Sequence, residues 1–135
     1  MTRPTYLFDA SSIVRALKEV KLVPLGGQAL QWLTVYEVIN ALWKEAILLR
    51  KLSPEEAGSL VSDFTELIRE MTILEPRGLE QEIFRIAVSE GVTVYDASYI
   101  ALAAKHNLIL VTEDQKLSRK ASSIVNVTSL DDITE

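Results

Sequence analysis

Apolar positions in this chain fall into short runs separated by longer stretches in which they recur every three or four residues. Tyr6-Leu7-Phe8 is a run of strand type ending at Asp9, and Ile13, Val14, Ala16 and Leu17 then follow at helical spacing, with Ser11 or Ser12 as the expected cap. Gln28 to Leu33 reads as a second strand. Thr34 opens a long helix to about Arg50, and Thr34-Val35-Tyr36-Glu37 fits a capping box. Ser53-Pro54-Glu55-Glu56 starts another helix, running to about Glu70, and Thr72-Ile73-Leu74 is a third strand closed by Pro76. Leu79 to Glu90 is amphipathic, with Ile83, Ile86, Ala87 and Val88 inward and Gly91 as its stop. Val92 to Tyr95 reads as an extended loop running into an almost wholly apolar helix through Ala104, which must be buried. Leu108 to Val111 is a buried strand, Lys116 to Ser122 a short helix, Ile124 to Val127 a last strand, and Ser129 to Glu135 a tail.

Strands alternating with helices predict an α/β fold around a mostly parallel sheet with right-handed crossovers. Pro24 and Gly26-Gly27 mark a loop, and neither an internal repeat nor a low-complexity segment interrupts the pattern. The helix from Thr34 carries Val35, Val38, Ile39, Ala41, Leu42, Trp43, Ala46, Ile47, Leu48 and Leu49, a stripe too wide for one sheet face. A second buried surface follows, most simply a homodimer contact anchored on Trp43, unless Trp43 is a core tryptophan.

A length of 135 residues with 48% hydrophobic residues predicts a single domain over 1–135. No apolar run approaches the roughly 20 residues that span a bilayer, and Met1 to Thr5 lacks a signal peptide's apolar segment, so a cytoplasmic protein without membrane contact is expected. There is no cysteine and only one histidine, His106, read as a helix C-terminal residue. Disulfides, thiolate zinc sites and a conventional serine triad are thereby excluded or disfavoured, and any metal must be held by oxygen, which points to Mg²⁺ or Mn²⁺. A net charge of −5 argues against a generally basic nucleic-acid surface but leaves room for a local one.

Acids stand at equivalent places along this pattern: Asp9 after the first strand, Glu37 in the first turn after the second, Asp96 at the start of the buried helix, and Asp114 after the fourth strand. In a parallel sheet these ends share one edge, where ligands bind. Each has a plain structural explanation too, Asp96 as a helix-terminal residue and Glu37 as a capping-box partner. Gathered together they would repel one another unless a divalent cation neutralised them, and such a site supports phosphoryl transfer by activated water.

Leu-Phe-Asp9-Ala-Ser11, Thr34-x-x-Glu37-x-x-Asn40-Ala-Leu, Tyr95-Asp96-Ala-x-Tyr-Ile-Ala-Leu-Ala and Leu-Val-Thr112-Glu-Asp114-x-x-Leu117 together resemble the four successive motifs of PIN domains, in their small VapC-like form. The resemblance runs from Leu7 to about Val127. It implies a three-layer α/β/α sandwich with four to five strands, and an Mg²⁺- or Mn²⁺-dependent endoribonuclease, the toxin of a type II toxin-antitoxin pair. A homodimer and a small antitoxin that blocks the acidic pocket are the implied partners. By motif, Asp9, Glu37, Asp96 and Asp114 would form the catalytic and metal site. Ser11 and Thr112 would support the ligands, and Asn40 would orient Glu37 or substrate. Ser12 stands where the family commonly has an apolar residue, and Glu113 leaves open which acid of its pair faces the metal.

Arg15, Lys116, Arg119 and Lys120 are candidate contacts for RNA phosphates, or simply solvated helix positions. Other aspartate-centred folds fit less well. An aspartyl phosphatase would want a second Asp where Ser11 stands, and a phospho-receiver would want a lysine where Thr128 stands. No glycine-rich nucleotide loop is present. The alternative from another class is a non-catalytic module of the same fold that binds RNA or protein.

Overall fold

The structure, a computed structural model, describes residues 3–133. Strands β1 (Tyr6–Phe8), β2 (Ala29–Gln31), β3 (Thr72–Leu74), β4 (Ile109–Val111) and β5 (Val127–Thr128) form one parallel sheet in the order β3-β2-β1-β4-β5. The connecting helices are α1 (Ala10–Glu19), α2 (Trp32–Trp43), α3 (Pro54–Ile68), α4 (Glu80–Glu90), α5 (Val94–His106) and α6 (Gln115–Ala121).

Alternation within each strand sorts the core into two halves. Leu7, Ala29 and Leu110 point to the face covered by α4, α5 and α6, where Ile86, Ile100, Leu102 and Leu117 pack. Phe8, Leu30 and Val111 point to the other face, against Ile13, Leu17, Val38, Leu42 and Phe64 of α1, α2 and α3. The result is the expected three-layer α/β/α sandwich, with β1 buried at its centre. Helix α5 is buried from Ala97 to Ala103, as its apolar composition requires.

Several boundaries differ from the sequence expectation. Trp32 and Leu33 belong to α2 and not to β2, because Gln31 and Thr34 cap α2 in a box three residues earlier than Thr34/Glu37. Val94 and Tyr95 form the first turn of α5 instead of a loop, since Thr93 caps it and accepts from Asp96 N. Helix α2 passes at Trp43 into a π-helical turn, Lys44–Leu48. Val88 faces solvent. The last strand is Val127–Thr128 rather than 124–127, and the tail turns through a short 3₁₀ segment that buries Leu130. The remainder of that tail, Thr134 and Glu135, like Met1 and Thr2, lies outside the described residues. Gly91 ends α4 in the left-handed conformation, as expected, and Asn107 does the same for α5.

Candidate active site

The strand order reverses between β1 and β4, so the crevice at their carboxyl ends is the topological switch point where open α/β sheets bind ligands. Asp9 follows β1 directly and itself caps α1, in place of Ser11 or Ser12. Its Oδ1 accepts from Ser12 N at 2.9 Å and Ser11 Oγ at 2.8 Å, and Thr112, just after β4, donates to Oδ2. Burial pushes the Asp9 carboxyl above the usual carboxylate range, and the Thr112, Ser12 and Ser11 donors oppose the rise. Ser12 is fully buried because its hydroxyl reaches two carbonyls, of Asp9 and Val111, which explains a serine at that position.

Glu37 lies in the second turn of α2, half-buried and free of any capping duty. Tyr99 Oη donates to its Oε1 at 2.5 Å. Burial raises its carboxyl, the Tyr99 bond opposes this, and the charges of Asp9 and Asp96 push it further up. Asp96 is the third residue of α5, and burial followed by repulsion from Asp114 raises its carboxyl, while Lys116 draws it down. That lysine is the positive group a carboxylate at the mouth of the core calls for. Asp114 caps α6: its Oδ1 accepts from Lys116 N at 2.9 Å and Leu117 N at 3.2 Å, and its own N–H donates to Thr112 Oγ1 at 3.0 Å.

The neighbouring acid is differently occupied. Glu113 Oε1 pairs with Arg15 at 2.5 Å, and Oε2 accepts from Leu130 N at 2.8 Å, so both oxygens are committed to the fold. Arg15 also binds Glu19 and Asp131 at 2.7 Å each, and three carboxylates thus hold the guanidinium proposed for RNA contact. Lys116 and Arg119 are exposed, Lys120 is half-buried, and none of the three forms an ion pair among the described residues. Asn40, one turn beyond Glu37 on α2, makes no hydrogen bond to it among the described residues. It is exposed and lines, with Tyr36, Glu37, Ile39 and Trp43, a hollow of about 540 Å³ on α2. Trp43 is 49% exposed and so is not a core tryptophan. His106 ends α5, as read, and burial lowers its pKa.

The residue missed in the sequence is Tyr99. Its hydroxyl, buried beside Thr34 Oγ1 at 2.7 Å, links α5 to Glu37. The available signal was a tyrosine inside an otherwise apolar helix, since a buried phenol needs a partner.

Among the described residues, no group of three or more His, Asp or Glu side chains is arranged to hold a metal ion as it stands. Asp9 has both oxygens in hydrogen bonds to protein donors, whereas Glu37 Oε2, Asp114 Oδ2 and the Asp96 carboxylate have no such bond among the described residues. Neighbouring carboxylates with several uncommitted oxygens form a donor set that suits a hard divalent cation with retained waters.

A family model described as "PIN domain" matches residues 6–122. Among curated relatives, Exonuclease VapC9 of Pyrobaculum aerophilum is 36% identical over 127 residues, covering 93% of this chain and 92% of that protein. Ribonuclease VapC3 of the same organism is 37% identical over 95 residues, covering 69% and 70% respectively. The crystal structure of PAE2754, also from P. aerophilum, superposes with a TM-score of 0.77 at 30% identity, over 96% of this chain and 93% of that one. FitAcB of Neisseria gonorrhoeae shares the fold, with a TM-score of 0.62 at 20% identity, covering 96% of this chain and 100% of that one. With the family model spanning nearly all of the sheet and the acid-bearing helices, the chain belongs to the PIN-domain family, among its VapC-like members.

Proposed function

We propose that this chain is an Mg²⁺- or Mn²⁺-dependent endoribonuclease whose site is Asp9, Glu37, Asp96 and Asp114. The observation that supports it is the electrostatic proximity of these acids: Asp9 and Asp96 raise Glu37, and Asp114 raises Asp96. A nuclease is also what the names of the two curated relatives describe. When bound among these carboxylates, a divalent ion supplies a water of lowered pKa and offsets charge on the scissile phosphate.

The chain's own residues have separate tasks in this reading. Asp9, locked by Ser11, Ser12 and Thr112, is the fixed anchor of the site. Glu37 Oε2, Asp96 and Asp114 Oδ2 complete the oxygen set, directly or through water. Lys116, beside Asp96 at the head of α6, is placed to meet a phosphate oxygen, while Arg15 serves the fold. Internal cleavage is favoured by the openness of the edge: Asp114 and Asn40 are exposed, and an open edge requires no strand end. In the family reading the chain acts in the cytoplasm as the toxin of a pair, is a homodimer through the α2 face, and is inhibited by a small antitoxin covering the acids.

The test is a circular single-stranded RNA offered with Mn²⁺, beside its linear end-labelled form. Nicking of the circle is expected; degradation of the linear form alone would make the enzyme an exonuclease, as one relative is named. A DNA circle cut equally well would remove the restriction to RNA.

A further inference from the structure

We propose that Tyr99 is a positioning residue for Glu37, fixing Oε1 so that Oε2 alone is presented to the metal. The inference rests on the reading of Glu37 as a metal-binding acid and extends it to a residue outside the acid set.

The geometry begins at the head of α2. Gln31 N–H donates to Thr34 Oγ1 at 3.4 Å, which leaves the threonine proton for Tyr99 Oη at 2.7 Å. The tyrosine proton then goes to Glu37 Oε1 at 2.5 Å. Every donor therefore points the same way, toward the carboxylate, and each bond polarises the next. Gln31, Thr34 and Tyr99 are all buried, so water does not compete along the chain.

Tyr99 also joins the two helix layers at the site. Glu37 stands on α2, in the layer on one face of the sheet, and Asp96 on α5, in the layer on the other. Tyr99 is three residues beyond Asp96 on α5, so its bond to Glu37 ties the two acids across the carboxyl edge of the sheet. A second tie runs beside it, from Gln31 Nε2 to Ser98 Oγ at 2.8 Å, with Ser98 donating in turn to Tyr95 O at 2.6 Å. A phenylalanine would fill the same space, and the hydroxyl is what the apolar interior does not explain. Outer groups that hold ligands in this way change metal affinity by about 10- to 100-fold when removed.

The experiment titrates Mn²⁺ calorimetrically into wild type, Tyr99→Phe, Glu37→Gln and the double variant, with RNA cleavage measured at saturating Mn²⁺. Tyr99→Phe is expected to weaken Mn²⁺ binding about 10- to 100-fold, to leave KM for RNA unchanged, and to have no further effect in the Glu37→Gln background. That last result separates positioning from a general loss of packing, which would weaken both backgrounds alike. If Tyr99→Phe does not fold, Thr34→Val removes the upstream donor and should produce a smaller loss, again absent with Glu37→Gln. Wild-type affinity in a folded Tyr99→Phe, an equal loss in both backgrounds, or an unaffected Thr34→Val would overturn the role of Tyr99 while leaving the nuclease intact. A wild type that neither binds Mn²⁺ nor cuts RNA would overturn the metal-dependent nuclease itself, and the positioning role with it.

Discussion

Thr112→Val keeps the shape of a side chain that is 3% exposed and removes a single hydroxyl. That hydroxyl donates to Asp9, accepts from Asp114 N at 3.0 Å and lies 3.3 Å from Ser11 Oγ. A hydrogen bond to a charged group contributes about 1.5–3 kcal/mol and a neutral one about 0.5–1.5 kcal/mol. With water able to replace the partner of Asp114 N, the loss should be about 3 kcal/mol, lowering Tm by roughly 10 °C for a chain of this length. Thr112→Ser, which keeps the hydroxyl and loses a methyl, should cost only about 1 kcal/mol. The pH dependence follows from sign. The Thr112 bond lowers the Asp9 carboxyl, so its removal raises that carboxyl further above its unfolded value. The penalty is then full above the folded pKa of the variant, shrinks as pH falls from that value to the wild-type one, and is least below it, where both carboxyls are protonated. Thermal unfolding of the three proteins in chelator, at neutral pH and in mild acid, measures this directly. A Val variant as stable as wild type at neutral pH, or a penalty that grows in acid, would refute the account of Asp9.

Glu37 is likewise raised by burial, so the folded state holds its proton more tightly than the unfolded one. In chelator, wild type should lose stability relative to Glu37→Gln as pH rises from the unfolded carboxyl value through the folded one. Mn²⁺ at 100 times its Kd should restore about 2.7 kcal/mol, and no metal-induced rise in Tm would count against the site. Trp43→Glu should convert a dimer to a monomer in sedimentation velocity, since Trp43 sits with exposed Ile39, Ile47 and Leu48 on the α2 side; a monomeric wild type would remove that interface. Val20 ends α1 in the left-handed conformation at φ 56°, a costly geometry for a β-branched residue, and is 80% exposed. Val20→Asn should therefore gain about 0.5–1 kcal/mol in denaturant unfolding, and a loss of stability would show that the strain has been misjudged.

Much of this architecture is written locally. The two-residue alternation of Leu7 and Phe8, or Leu110 and Val111, marks strands buried on both faces, and Ser53-Pro54-Glu55-Glu56 forms the capping box it spells. Local signals failed where a tertiary partner decided the outcome. Gln31, a poor cap by preference, displaces Thr34 from that position because its side chain also binds Ser98 on α5. That shift of three residues releases Glu37 from a capping box and turns it to Tyr99. Arg15 looks like a free cation near the first acid, but its partners Glu113 and Asp131 are almost a chain length away. The placement of Asp9 and Asp114 just after β1 and β4 was legible because a parallel sheet brings those ends together whatever the loops do, whereas the positions of Glu37 and Asp96 and the hydroxyls that orient the acids depend on how the helix layers meet above that edge.

The central claim, that these acids form one metal-dependent ribonuclease site, is tested most directly by single-stranded RNA cleavage with wild type and Asp96→Asn, each in Mn²⁺ and in chelator. Metal-dependent cutting by wild type, abolished in an Asp96→Asn protein that unfolds at or above the wild-type temperature, is the predicted result. Cutting that persists in folded Asp96→Asn, or in chelator, would contradict it.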